Sequence, residues 1–190
     1  MANRLIGFSG LLCAGKDTAC NEFRMRYGGL RYAFADKLKL EAKAMILHLT
    51  GENVDTDMKD DRVRGLLQLF GSAGRAYKES IWRDYALTRA LRDTAQGYTV
   101  IITDVRYPDE AQAIVDVGGR VCRVWCEESV RLKRIQERFP DTSLERFQHA
   151  SETALTDTNF PYMMFIDSTD PESLQASLSD LTRVLQMFEE

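Results

Sequence analysis

A short apolar run ending in glycine, followed closely by Gly-Lys, leaves a chain few folds to choose from. Residues Arg4 to Gly10 read RLIGFSG, and Gly10, Gly15 and Lys16 satisfy G-x-x-x-x-G-K. The run suits a buried strand. Lys16 to Tyr27 reads as a helix that Gly28 and Gly29 terminate. A loop of this pattern between strand and helix has a defined chemistry. Its glycines let successive N–H groups turn inward on phosphate oxygens. The helix adds its positive end, and the lysine brings an ammonium to the β- and γ-phosphates. Gly10, Ala14, Gly15, Lys16, Asp17 and Thr18 are therefore the candidate residues for holding ATP. The spacing of Gly7, Gly10 and Gly15 does not match G-x-G-x-x-G, which disfavours a dinucleotide enzyme.

The rest of the chain alternates strands with helices. Leu30 to Ala35 reads as a second strand, and Asp36 can cap the helix KLKLEAKAMILHL, which stops near Gly51. From Arg62 to about Gln96 the pattern is helical, with an expected interruption at FGSAG. Tyr98 to Asp104 is the clearest buried strand, and Pro108 starts a helix through Val117. RVCRVWC is a strand, VRLKRIQERF a basic helix, and YMMFID the last strand. Pro171 opens a final helix with apolar Leu174, Leu178, Leu181, Leu185 and Phe188. This alternation predicts an α/β fold: a five-stranded parallel sheet with helices on both faces, in three layers. Ligands of such sheets sit beyond the carboxyl ends of the strands.

Composition narrows the partners. The chain has 190 residues, suited to one domain, with 44% hydrophobic and 28% charged residues. A net charge of −4 gives no broad basic surface for nucleic acid. No run is long and apolar enough to span a membrane, and the N-terminal stretch is too short for a signal peptide. Cys13, Cys20, Cys122 and Cys126 match no common zinc spacing, and reduced thiols in a cytoplasmic protein are expected. A homodimer is left open.

Asp17 stands where such loops usually carry Ser or Thr. Magnesium accepts a carboxylate directly or through water, and Thr18 keeps a hydroxyl for a phosphate. A first-turn carboxylate favoured by the helix dipole fits the spacing equally well. Asp104, at the end of the strongest strand, is the second candidate for Mg2+, provided its strand neighbours the first; a helix N-cap is its plainer reading. Arg106 can fork onto a phosphate or stack on a base, or pair with Asp104 or Asp109. Arg131, Arg134 and Arg138 lie at i, i+3 and i+7, on one helical face. That row suits a cationic lid over polyphosphate, with Arg131 and Arg134 as catalytic candidates beside Lys16, Asp17 and Arg106. A solvated helix pairing with Glu127, Glu128 and Glu137 is the plainer reading.

Taken in order, GKDT, FADKLK, LLQLFGSAGR with IWRDYAL, TDVRYPDEA and HASE resemble the phage-type deoxynucleoside monophosphate kinases, from Leu5 to the last helix. Animal-type phosphomevalonate kinases are the nearest competitor. The resemblance implies a P-loop kinase, with ATP and Mg2+, that phosphorylates a deoxynucleoside monophosphate to the diphosphate. It implies acceptor-binding helices over 36–97 and a lid over 128–158. Asp36, Lys39, Gln68, Arg75, Asp104, Arg106 and Glu152 are its candidate substrate residues. Arg64 and Trp82 rank below Gln68 and Arg75, and Trp82 suits a core. His149, Ser151 and Glu152 are too close in sequence for a hydrolytic triad. Other small phosphorylated acceptors, including dephospho-coenzyme A, and a slow nucleotide switch remain as alternatives. The guanine-reading N-K-x-D is absent, and DVRY stands after the third strand where a D-x-x-G switch would lie.

Overall fold

The computed structural model describes residues 4–56, 61–140, 155 and 160–187. The chain divides into two compact units, Met1–Arg31 with Asp93–Glu190, and Tyr32–Arg92. The first holds strands β1 (Leu5–Ser9), β3 (Val100–Val105), β4 (Arg120–Trp125) and β5 (Met164–Asp167). It also holds helices α1 (Lys16–Tyr27), α5 (Pro108–Asp116), α6 (Glu128–Arg138) and α7 (Pro171–Met187). The second unit holds α2 (Ala35–Thr50), α3 (Asp61–Tyr77) and most of α4 (Ile81–Ala95). Strand β2 (Leu30–Tyr32) spans the boundary and completes a five-stranded parallel sheet in the order β2-β3-β1-β4-β5.

Side-chain parity on β1 explains the layers. Ile6 and Phe8 point to one face, where they pack with Cys20 and Phe23 of α1 and Leu174, Leu178 and Leu181 of α7. Each such side chain, fully buried, contributes roughly 1.5–3 kcal/mol before entropy is counted. Gly7 points to the other face. A Cβ there would lie 2.7 Å from Ile114 of α5 and 2.9 Å from Val105, so the bare position admits α5 onto the sheet. The expected α/β sandwich, with helices on both faces, is what forms.

Several boundaries differ from expectation, and those before and within the helical segment matter most. β2 stops at Tyr32 rather than Ala35. Helix α2 begins at Ala35, and the Asp36 carboxylate accepts the N–H of Ala33 from within the first turn at 2.8 Å. The FGSAG segment does not interrupt the helical stretch, since α3 runs continuously from Asp61 to Tyr77. Its glycines serve packing instead. A Cβ on Gly71 would meet Leu38 of α2 at 3.2 Å, and one on Gly74 would meet the Trp82 ring at 2.5 Å. Trp82 is buried and donates its indole N–H to the Gly71 carbonyl at 3.1 Å. It is core, and the chain breaks only afterwards, between Tyr77 and Ile81.

Candidate active site

The loop after β1 is shaped by close approach on both flanks. A Cβ on Gly10 would lie 2.6 Å from the Val124 carbonyl oxygen of β4, so only glycine fits against that strand. Gly15 caps α1 with φ 84° and ψ 11°, in the left-handed region. Cys13 also takes a left-handed φ of 60°. Left-handed residues within a tight loop turn neighbouring N–H groups to one side and make a concave anion nest. The Ala14 N–H bonds Leu11 O at 3.1 Å and closes the turn, and Ala19 N bonds Gly15 O at 2.9 Å as the helix begins. The first N–H groups of α1 have no partner within the helix, so Lys16, Asp17 and Thr18 present donors at its positive end. The Lys16 ammonium folds back to 3.5 Å from the Gly10 carbonyl.

The carboxylates gather beside this loop because β3 is the neighbour of β1. The register pairs Leu5 with Val100 and Ser9 with Val105, and a bulge between Gly7 and Ser9 sets Asp104 beside the loop strand. Asp104 is half-buried; Asp17 and Thr18 are exposed in the first turn of α1. The buried Cys20 thiol is raised by desolvation and feels Lys16, Asp17, Arg31 and Asp104, which places these charges around one point. Among the described residues no three His, Cys, Asp or Glu side chains form a metal-binding group. Asp17 and Asp104 could supply two carboxylates to Mg2+, with water and substrate phosphates completing its octahedron.

Arg106 and its turn are held by a residue the sequence reading passed over. Glu110 is 4% exposed, and its Oε2 accepts the N–H of Arg106 at 2.9 Å and of Tyr107 at 3.0 Å. Burial, and then the neighbouring Asp104 charge, push its carboxyl up to about 8. Tyr107 is the N-cap of α5, so Asp104 is not.

The arginines of α6 face the loop, but in different states. The Cys13 thiol, raised chiefly by burial, lies in the fields of Arg138, Arg131 and Arg134. Arg131 is forked onto Glu128 at 2.7 Å through both Nε and Nη2. Arg138 is exposed. Arg134 is fixed: its Nη2 donates to Ser168 O at 2.7 Å and Thr169 O at 3.1 Å. Among the described residues its Nη1 is buried without a hydrogen-bond partner, 3.6 Å from where a Gly15 Cβ would stand, and the Cys126 thiol lies in the same guanidinium's field. A buried donor left unmade costs about 1–3 kcal/mol, so this atom marks a place for an acceptor. Ser168, just past the end of β5, joins this group, and a lone serine there carries no local signal in the sequence.

Within the second unit, Arg64, Gln68 and Arg75 share a stripe of α3, being four and seven residues apart, and all are half-buried. Gly71 lies in the same stripe and receives Leu38 of α2. The stripe therefore faces α2, whose first turns carry Asp36 and Lys39, both half-buried. Glu152, with His149 and Ser151, lies outside the described residues. Leu155 beyond them is buried, and its carbonyl accepts Arg123 Nη1 at 3.3 Å.

No protein-family model matches the chain. Curated relatives at 28% identity are two uncharacterized proteins of Ictalurid herpesvirus 1 (strain Auburn). ORF77 aligns over 151 residues, 79% of this chain and 58% of its own length. ORF76 aligns over 118 residues, 61% and 45% respectively. The chain spans about half the length of these relatives. Among solved structures, a gluconokinase from Sinorhizobium meliloti 1021 matches with TM-score 0.57 at 15% identity, covering 100% of this chain and 99% of its own. The dephospho-CoA kinase from Campylobacter jejuni matches with TM-score 0.55 at 15% identity, over 95% and 96%. Shikimate kinase from Bacteroides thetaiotaomicron matches with TM-score 0.53 at 15% identity, over 96% and 98%. The chain thus has the fold of the P-loop kinases. No helix among the described residues is long and apolar enough to cross a membrane.

Proposed function

We propose that this chain is an ATP-dependent kinase that transfers a phosphoryl group to a small phosphorylated acceptor, a deoxynucleoside monophosphate. The observation that carries the first half is the buried Arg134 Nη1, without a hydrogen-bond partner among the described residues, beside the left-handed Gly15 cap of the loop. A cation fixed at a ring of inward N–H groups suits a polyphosphate. The order of the sequence motifs supports the acceptor class, and Gln68 and Arg75 on the α3 stripe offer a hydrogen-bonding amide and a cation for base and phosphate.

The chemistry asks for alignment and charge compensation more than covalent work. An acceptor phosphate oxygen attacks the γ-phosphorus, the bond from that phosphorus to the β–γ bridging oxygen breaks, and ADP leaves. The attacking group is already anionic, so no strong base is required. Lys16, the α1 N-terminus and Arg134 stabilise the charge on the transferring group and on ADP. Asp17 and Asp104 would hold Mg2+, which when bound neutralises phosphate charge. Arg106 is assigned to the acceptor phosphate.

A coupled assay for ADP tests this with ATP, Mg2+ and a panel of deoxy- and ribonucleoside monophosphates, phosphomevalonate, dephospho-coenzyme A, shikimate and gluconate. ADP formation that depends on a deoxynucleoside monophosphate is expected. Turnover only with another acceptor would overturn the substrate assignment, and slow ADP release regardless of acceptor would favour a nucleotide switch.

A further inference from the structure

We propose that Ser168 is a positioning residue for the phosphate site, orienting the Gly15 N–H toward the bound anion; this rests on the loop being the polyphosphate site. Ser168 is 4% exposed at the carboxyl end of β5. Its Oγ is hydrogen-bonded to the Ala14 carbonyl and lies 3.1 Å from the Trp125 carbonyl. One hydroxyl has one proton. The Trp125 carbonyl accepts the Ser168 N–H at 2.9 Å, and the Ala14 oxygen lies closer to Oγ than the Trp125 oxygen does, so the hydroxyl proton goes to Ala14 O.

That choice fixes a peptide plane. In a trans peptide the C=O and the following N–H point in opposite directions. Drawing the Ala14 oxygen outward onto Ser168 turns the Gly15 N–H the other way, into the loop. The arrangement is locked from several sides. The Ser168 carbonyl accepts Arg134 Nη2 at 2.7 Å, and a Cβ on Gly15 would fall 2.5 Å from Ser168 Oγ. One serine thus sets a backbone donor through its hydroxyl and clamps the buried guanidinium through its carbonyl. Both belong to the concavity that the left-handed Gly15 creates. Nothing in the local run of small polar residues Asp167, Ser168, Thr169 and Asp170 marks this role; it arises because β5 ends beside the loop.

The test uses calorimetric titration of inorganic tripolyphosphate into the whole protein and into Ser168→Ala, with thermal melts of both and the Gly15 amide followed by NMR in the parent. Tripolyphosphate affinity should fall about tenfold in Ser168→Ala, the equivalent of roughly one oriented hydrogen bond. The Gly15 amide of the parent should shift on saturation. A serine that merely stabilised the fold would lower the melting temperature and leave the affinity of the folded protein unchanged. Equal affinity in parent and variant overturns the proposal while leaving the phosphate site intact. No binding to the parent overturns the phosphate site and the proposal together. If Ser168→Ala fails to fold, the parent's Gly15 amide decides: a shift supports the proposal, and an unmoved resonance at saturation overturns it.

Discussion

Gly15→Ala probes the point where fold and site meet. Alanine there must keep a φ of 84°, in the left-handed region, at about 1–2 kcal/mol. Its Cβ would also sit 2.5 Å from Ser168 Oγ and 2.9 Å from Ser168 Cβ. Ser168 is tethered to Ala14, Trp125 and Arg134. Moving it breaks at least one buried hydrogen bond, about 1–3 kcal/mol. The sum, about 2–5 kcal/mol, falls on the binding-competent loop. At about 1.4 kcal/mol per decade, ATP affinity should drop roughly thirty-fold or more. Calorimetry of ATP binding, with a melt for global stability, reads it. The double variant Gly15→Ala/Ser168→Gly removes both clashing atoms, so its loss should be smaller than the sum of the single losses. If Gly15→Ala binds ATP within about threefold of the parent and melts at the same temperature, the close packing of loop against Ser168 is wrong.

Other outcomes follow from single contacts. Arg134→Met should lower ATP affinity about tenfold or more, the worth of a charge-assisted hydrogen bond, by calorimetry. The melting temperature of the ligand-free variant should fall only modestly, because losing the Nη2 bonds to Ser168 and Thr169 is partly offset by removing an Nη1 that has no hydrogen-bond partner among the described residues. Glu110 has its carboxyl raised in the folded state to about 8. The folded protein therefore binds more protons than the unfolded chain between the ordinary glutamate range and pH 8, and stability should fall as pH rises through that window. Glu110→Gln keeps an acceptor for Arg106 and Tyr107, and should flatten that loss in urea titrations at pH 5 and pH 8.5 without nucleotide or magnesium. Gly74→Ala should lower the melting temperature despite better helix propensity, because its Cβ meets the rigid Trp82 ring. Gly65→Ala, with nothing within 4 Å, should raise it.

The local parts of the candidate site are legible in sequence because the geometry they need is local. The loop from Gly10 to Thr18 needs only one strand, one turn and one helix in succession. Asp104 was legible conditionally, since its value depended on β3 lying beside β1. The row of Arg131, Arg134 and Arg138 follows from helix geometry, but their differing states do not. Arg131 is drawn off by Glu128, whereas Arg134 is fixed by carbonyls of Ser168 and Thr169, more than thirty residues away. Ser168 and Glu110 went unread because their partners are backbone groups that only tertiary packing brings near. The glycines of FGSAG misled for a physical reason: a helical glycine signals either a break or a close approach, and here Leu38 and Trp82 made it the second.

The central claim is that the loop closed by Gly15 and Lys16 holds a polyphosphate tail. Titrating ATP with Mg2+, and adenosine alone, into the parent and into Lys16→Ala tests it most directly. ATP should bind the parent far more tightly than adenosine, and Lys16→Ala should erase most of that preference. Equal affinity of the two proteins for ATP would contradict the account.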